Sequence, residues 1–214
     1  MYGTHDLIVF LATGLLLNAM PGPDTIYIVS RSSTQGLRAG ILATLGVSVG
    51  ILIHIFATVL GISAILAASA TAFTLIKLVG AIYLIYLGLS FVKSSRPSQT
   101  RLRSDFEPAP LTVVFLQGFL TNVLNVKVAI FFLAFLPQFV TNEAFNKPVA
   151  FLFLGLLFNL TGTVWNLAVA WSTARITRQV LETYTDTTWL RYFAGGLLIF
   201  FGIRLALFQS QYVP

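Results

Sequence analysis

Residues 7–30 read LIVFLATGLLLNAMPGPDTIYIVS, an apolar run cut near its end by Pro21-Gly22-Pro23-Asp24. A helix that crosses a bilayer needs about 20 mostly apolar residues, and this stretch has the length. Two prolines remove two backbone donors and obstruct the preceding turn, so the helix is expected to break there. Non-helical backbone at membrane depth is tolerated only where it is buried in protein or lines a wet cavity. Residues 24–30 then form a half-helix whose free N–H groups point into that cavity with a partial positive charge. Asp24 has a bland role as the cap of that half-helix and a sharper one toward a ligand. Placing a carboxylate inside a membrane costs roughly 2.5–3.5 kcal/mol, and that expense favours the ligand.

Working outward, further apolar stretches run over 38–67, 73–92, 111–137, 149–174 and 189–208. Of the 214 residues 57% are hydrophobic and only 9% charged, with a mean hydropathy of +0.86. A soluble domain carries roughly a quarter charged residues, so this chain lacks the polar matter to cover a water-facing surface. The net charge of +6 sits in short segments between apolar runs and forms no stripe that could follow phosphates, which argues against nucleic acid as a partner. The absence of cysteine excludes disulfides and thiolate metal sites. His5 and Asp6 precede the first run without a Lys or Arg, so that run is expected to be retained as a span and not removed as a leader.

Lys and Arg are unevenly shared among the connectors. Arg31 and Arg38 flank the first; Lys93, Arg96, Arg101 and Arg103 lie in the third; Arg175, Arg178 and Arg191 lie in or beside the fifth. The second and fourth hold only Lys147, apart from Lys77 at the start of span three. By the positive-inside rule the odd connectors are cytoplasmic and both termini extracytoplasmic. The polar stretch KSSRPSQTRLRSDFEPAP, 93–110, is the one linker-like segment.

The halves on either side of that linker can be aligned. Gly14 to Asn18 lies against Gly118 to Asn122, Pro21 to Asp24 against Asn125 to Val128, and Gly88 against Gly202. Three spans per half make the second half enter from the opposite side, an arrangement common in carriers with a midplane substrate site. The expected fold is all-α: one transmembrane domain over 1–214, with six helices as two inverted three-helix repeats, 1–92 and 111–214, joined by a cytoplasmic linker at 93–110.

Lys127 lies deep in span four, in NVLNVK from Asn122, too far from either end to snorkel to water. It is expected to contact a substrate or to pair with Asp24. Asn18, Asn122 and Asn125 offer amide donors and acceptors, or bridges between helices. One negative group, one positive group and a half-helix N-terminus complement a zwitterion such as an α-amino acid. The candidate substrate site is therefore Asp24, Lys127, Asn18, Asn122, Asn125, Pro21, Gly22 and Pro23. A proton relay is assigned to Asp24 and His54, since imidazole titrates near neutral pH; a hydrogen-bonded packing role for His54 carries equal weight. Asn159 and Asn166 share one face of span five and could line the cavity or bond between helices. Gly46 and Gly50 form a small-xxx-small pair for close helix packing.

At these residues the sequence resembles the lysine exporter superfamily, in particular its homoserine/threonine resistance branch of bacterial amino-acid exporters. The resemblance rests on PGPD at Pro21, the glycine-rich second span to Ile53-His54-Ile55, GAIYLIYLG from Gly80 to Gly88, and NVLNVKVAIFFLAFLPQF from Asn122 to Phe139. It implies an inner-membrane secondary transporter that exports amino acids or their analogues by proton antiport, without a cofactor, surrounded by lipid; a homo-oligomer is compatible with it. Members of that family usually show Asn-Pro-Lys in the fourth span where this chain has Asn125-Val126-Lys127, so a break in the second half is left open. The runner-up readings are a metal-ion exporter of related architecture, for which the chain offers few clustered ligands and hence no assigned metal site, and a passive small-solute channel. An enzyme is not expected: no HExxH or nucleophile elbow is present, and Ser48 and His54 stand about two turns apart, a poor geometry for nucleophile and base.

Overall fold

The computed structural model describes residues 3–20, 22–68, 108–141 and 144–175, with single helical positions between 75 and 93 and between 192 and 203. Helix α1, Leu7–Ala19, ends one residue before Pro21-Gly22, and α2, Pro23–Gln35, restarts with proline at its first position. Proline is well placed there, because its missing N–H would have no intrahelical partner in any case. The two helices are bent by 56°. Pro21 itself lies outside the described residues. A single residue, Gly36, joins α2 to α3, Leu37–Ala68. Its φ of 80° and ψ of −174° occupy a region that only glycine adopts without strain.

The second half opens in the same manner. Helix α4, Leu111–Val123, and the unit α5, Val126–Ala134, are followed by a 3-10 turn at Leu136–Phe139. The bend between α4 and the segment Val126–Phe139 is 49°. Helix α6, Lys147–Arg175, follows. The termini of α1 and α4 coincide in the alignment that pairs Asn18 with Asn122: Leu7 matches Leu111 and Ala19 matches Val123. The question left by the missing proline is thus answered by the backbone, which breaks without it.

Among the described residues, α3 (over Leu37–Gly61) and α6 are each long and apolar enough to cross a membrane, and up to four spans result if each bent pair counts as one. The expected third and sixth spans fall largely outside the described residues, as do the linker and Arg178 and Arg191. Where those spans are described they are helical, and Gly202 lies close against Ala81 and Ile85.

In lipid the apolar surface gains little by leaving the solvent, so packing and close backbone approach hold helices together. The α3–α4 contact shows this. A Cβ on Gly46 would clash with the Phe115 carbonyl and stand 2.9 Å from Phe119 N; one on Gly50 would stand 2.8 Å from Asn122 Cβ, and one on Gly118 2.6 Å from the Ala43 carbonyl. The small-residue pair read from the sequence therefore does pack against a neighbouring helix. A second anchor is aromatic: Phe131 lies 4.7 Å from Phe135 and 4.8 Å from Phe158, and Phe10 lies 5.3 Å from Phe139, ring centre to centre. These rings join α1, α5, the 3-10 turn and α6 around one buried core. Large apolar side chains such as Ile8, Leu60, Leu116 and Leu160 face outward.

One expectation is corrected. Arg31 does not flank a connector, because α2 runs on to Gln35 and carries it inside, where it is 2% exposed. Its guanidinium donates to Gln35 Oε1 at 2.6 Å and Gln117 Oε1 at 2.7 Å and lies over the Tyr27 ring, while Gln35 Nε2 donates to the Ala109 carbonyl. These bonds tie the end of α2 to the start of the second half. The glycine contacts set a direct test. Gly46→Leu is expected to cost at least the 1–3 kcal/mol typical of overpacking and to lower the melting temperature in detergent. Gly61→Leu, at a position where no described atom lies within 4 Å of the added Cβ, should leave it unchanged.

Candidate functional site

A helix that stops inside an apolar medium leaves carbonyls at its end and N–H groups at the next start, and each must find a partner. Pro21 has no N–H, so the Leu17 carbonyl four residues earlier loses its usual donor. Lys127 Nζ fills that place: it lies 3.4 Å from Leu17 O and 3.3 Å from Met20 O. The ammonium thereby caps the negative end of α1. Gly22 makes the approach possible, since a Cβ there would stand 2.9 Å from Lys127 Nζ.

The other break is satisfied in the reverse sense. Asn125 is the N-cap of α5; its Oδ1 accepts from Lys127 N at 3.1 Å, and its Nδ2 donates to Asp24 Oδ2 at 2.8 Å. Asn122 Nδ2 donates to the same carboxylate oxygen at 2.9 Å. Asp24 therefore does not cap its own helix. Gly22 is the N-cap of α2, with no side-chain bond, and the carboxylate is spent on amides from the opposite half. Nor does Lys127 make its hydrogen bonds to Asp24; they go to main-chain carbonyls of α1.

Between these groups lies a cavity of about 20 Å³, lined by Leu17, Asn18, Asp24, Thr25, Val47, Ile51, Lys127, Val128, Phe158 and Asn166. That is room for one water molecule, which needs roughly 10–15 Å³. Two of the lining residues carry a buried side-chain atom with no partner among the described residues, the donor Asn18 Nδ2 and the acceptor Asp24 Oδ1. An unpaired buried polar atom costs on the order of 1–3 kcal/mol.

Of the residues singled out in the sequence, Asp24, Lys127, Asn18, Asn122, Asn125, Gly22 and Pro23 meet at the two breaks, and Pro21 lies outside the described residues. His54, on α3, reaches the Asn122 carbonyl with Nε2 at 2.9 Å; a carbonyl only accepts, so Nε2 carries the proton. Asn166 lines the cavity. Asn159 is engaged elsewhere, accepting from Ser48 Oγ at 3.0 Å, with Thr163 bonded to Ser48 at 3.0 Å. The sequence reading missed the apolar walls, Leu17, Val47, Ile51, Val128 and Phe158, and it missed Thr25. Helices α1, α3 and α5 are apolar on every side, so periodicity marks no inner face; for Thr25 the only available signal was its place after Asp24.

The model of the LysE type translocator family matches residues 15–209. A leucine efflux protein of Salmonella typhimurium is 24% identical over 209 residues, and one of Klebsiella pneumoniae 25% over 212, with 98% of both chains covered in each case. An uncharacterized membrane protein of Bacillus subtilis, YrhP, is 27% identical over 211 residues, covering 95% of this chain and 99% of its own. No solved structure matches. With paired helix breaks, apolar spans and a family match over nearly its whole length, the chain belongs to the LysE type translocators, a family of membrane transporters.

Proposed function

We propose that this chain is a secondary transporter that exports amino acids with apolar side chains, leucine foremost, across the bacterial inner membrane. The observation that carries the reading is the meeting of an unpaired acceptor, Asp24 Oδ1, and an unpaired donor, Asn18 Nδ2, at one cavity beside the Lys127 ammonium. A zwitterion satisfies all three. Its ammonium group takes Asp24, and its carboxylate takes Asn18 and Lys127. The rest of the wall is aliphatic and aromatic, which suits an apolar side chain. The full-length likeness to proteins named for leucine efflux supports the same substrate. A metal cation is disfavoured by the lysine at the centre of the site.

The cavity is far smaller than an amino acid, so passage requires the halves to move. In the proposed cycle two inverted three-helix repeats, 1–92 and 111–214, rock about the crossed helix breaks and open the site to each side in turn. Proton exchange is assigned to Asp24, whose protonation removes the charge that holds the substrate ammonium; His54 stands one residue away, through Asn122. With Arg31 buried, the cytoplasmic placement of the linker 93–110 rests on its Lys93, Arg96, Arg101 and Arg103, together with Arg38, Arg175, Arg178 and Arg191 in or beside the other odd connectors, with both termini extracytoplasmic.

Four measurements test this. In proteoliposomes with an imposed proton gradient, labelled leucine should move in exchange for protons. Asp24→Asn and Lys127→Met should each reduce the rate at least about 100-fold, corresponding to about 2.7 kcal/mol; retention of transport by either variant refutes the site. Ile51→Ala enlarges the apolar wall and should raise the KM for leucine about tenfold while sparing phenylalanine, given the 1–3 kcal/mol carried by a methylene in such a pocket. Because the chain lacks cysteine, Ser98→Cys gives a single thiol in the linker, and an impermeant maleimide should label it in inside-out but not right-side-out vesicles.

A further inference from the structure

Asn125 caps the start of α5, its Oδ1 accepting from Lys127 N, but no helix-breaking residue forces the break between α4 and α5. It falls at Leu124-Asn125, where there is neither proline nor glycine, yet the axis turns by 49°. Sharp kinks without such residues arise where a side chain enters the i→i−4 ladder. In an uninterrupted helix Val126 N–H would donate to the Asn122 carbonyl. Here that carbonyl accepts from Asn125 N at 2.8 Å and from His54 Nε2 at 2.9 Å. A carbonyl has two lone pairs, and both are now engaged. His54 is 9% exposed, and its ring lies against Phe132 with centres 6.2 Å apart. Gly50, one turn earlier on α3, lets that helix close on Asn122.

We propose that His54 is a positioning residue: by occupying the Asn122 carbonyl it keeps the α4–α5 break open and so holds Asn122, Asn125 and Lys127 toward Asp24. In the first half the same task falls to Pro21 and Pro23, which break the helix unaided. In the second half a side chain from α3 does it. The inference rests on the transport site proposed above, but its physical content is separate, namely what holds the bend. It also implies that a proline could replace the histidine. Val126 is the first residue of α5, where proline is best tolerated. Asn125 already has the extended backbone, φ −78° and ψ 98°, that a following proline requires. The Val126 side chain is 60% exposed, so a proline ring there faces outward.

The experiment uses the full chain in proteoliposomes with labelled leucine. His54→Leu removes the donor and keeps apolar contact with Phe132; it should reduce export on the order of 10- to 100-fold, the loss expected when binding groups shift by about an ångström. His54→Gln, which can still donate, should stay within about threefold of the parent, and Val126→Pro added to His54→Leu should recover most of the lost rate. Spin labels on Leu111→Cys and Leu133→Cys, both outward-facing, give a readout independent of transport. Their separation should lengthen by a few ångströms in His54→Leu as the helix straightens, and return in the double variant. An unchanged separation in His54→Leu overturns the proposal, as does loss of export that Val126→Pro fails to restore, the result expected of a proton-relaying histidine. If the parent moves no amino acid, the transport reading fails and the label distances alone decide the role of His54.

Discussion

Each half of this protein breaks an apolar helix, and at each break side chains of the two halves bond to one another. Lys127, at the start of α5, supplies the donor that Pro21 denies to the Leu17 carbonyl. Asp24, at the start of α2, collects the amides of Asn122 and Asn125 from the α4–α5 break. In water such loose ends would be solvated at little expense. In a bilayer every unpaired backbone group costs several kcal/mol, so the crossed arrangement makes the two halves mutually dependent.

The same arrangement concentrates charge at one point between the halves. Replacing Asp24 strands the buried amides of Asn122 and Asn125, and replacing Lys127 strands the Leu17 and Met20 carbonyls, each orphaned group costing about 1–3 kcal/mol. Yet the network is incomplete. Asp24 Oδ1 and Asn18 Nδ2 lack partners among the described residues, while the lysine is divided between the end of α1 and the cavity. Atoms left unpaired beside a shared charge are what a zwitterionic ligand would occupy. In the proposed transport cycle, structural need and substrate recognition draw on the same residues.

Packing around the breaks serves their geometry. Glycines on α3 and α4 let two backbones approach until side chains would collide, and this brings His54 to the Asn122 carbonyl. The phenylalanine cluster fixes α5 and the turn after it against α1 and α6. Gln35 and Arg31 fasten α2 to Ala109 and Gln117.

Much of this could be read from the order of the residues. Scarce charge and long apolar runs require spans; Pro21 and Pro23 require a break; an aspartate and a lysine in apolar surroundings mark the site. Each is a local demand of backbone chemistry or desolvation, present before any neighbour is placed. Other features had no such local cause. Arg31 looked like a connector residue and proved buried, because the length of α2 is decided by where Gly36 turns the chain. Val126 concealed the second break, which depends on a histidine about 70 positions earlier in the sequence. Asn159 and Asn166 share a face, yet one bonds Ser48 and the other reaches the cavity, and Phe158 in an apolar helix gave no sign of lining it. Such distinctions arise only when helices meet, since a side chain's partner is set by approach and register between elements, which no single stretch of sequence contains.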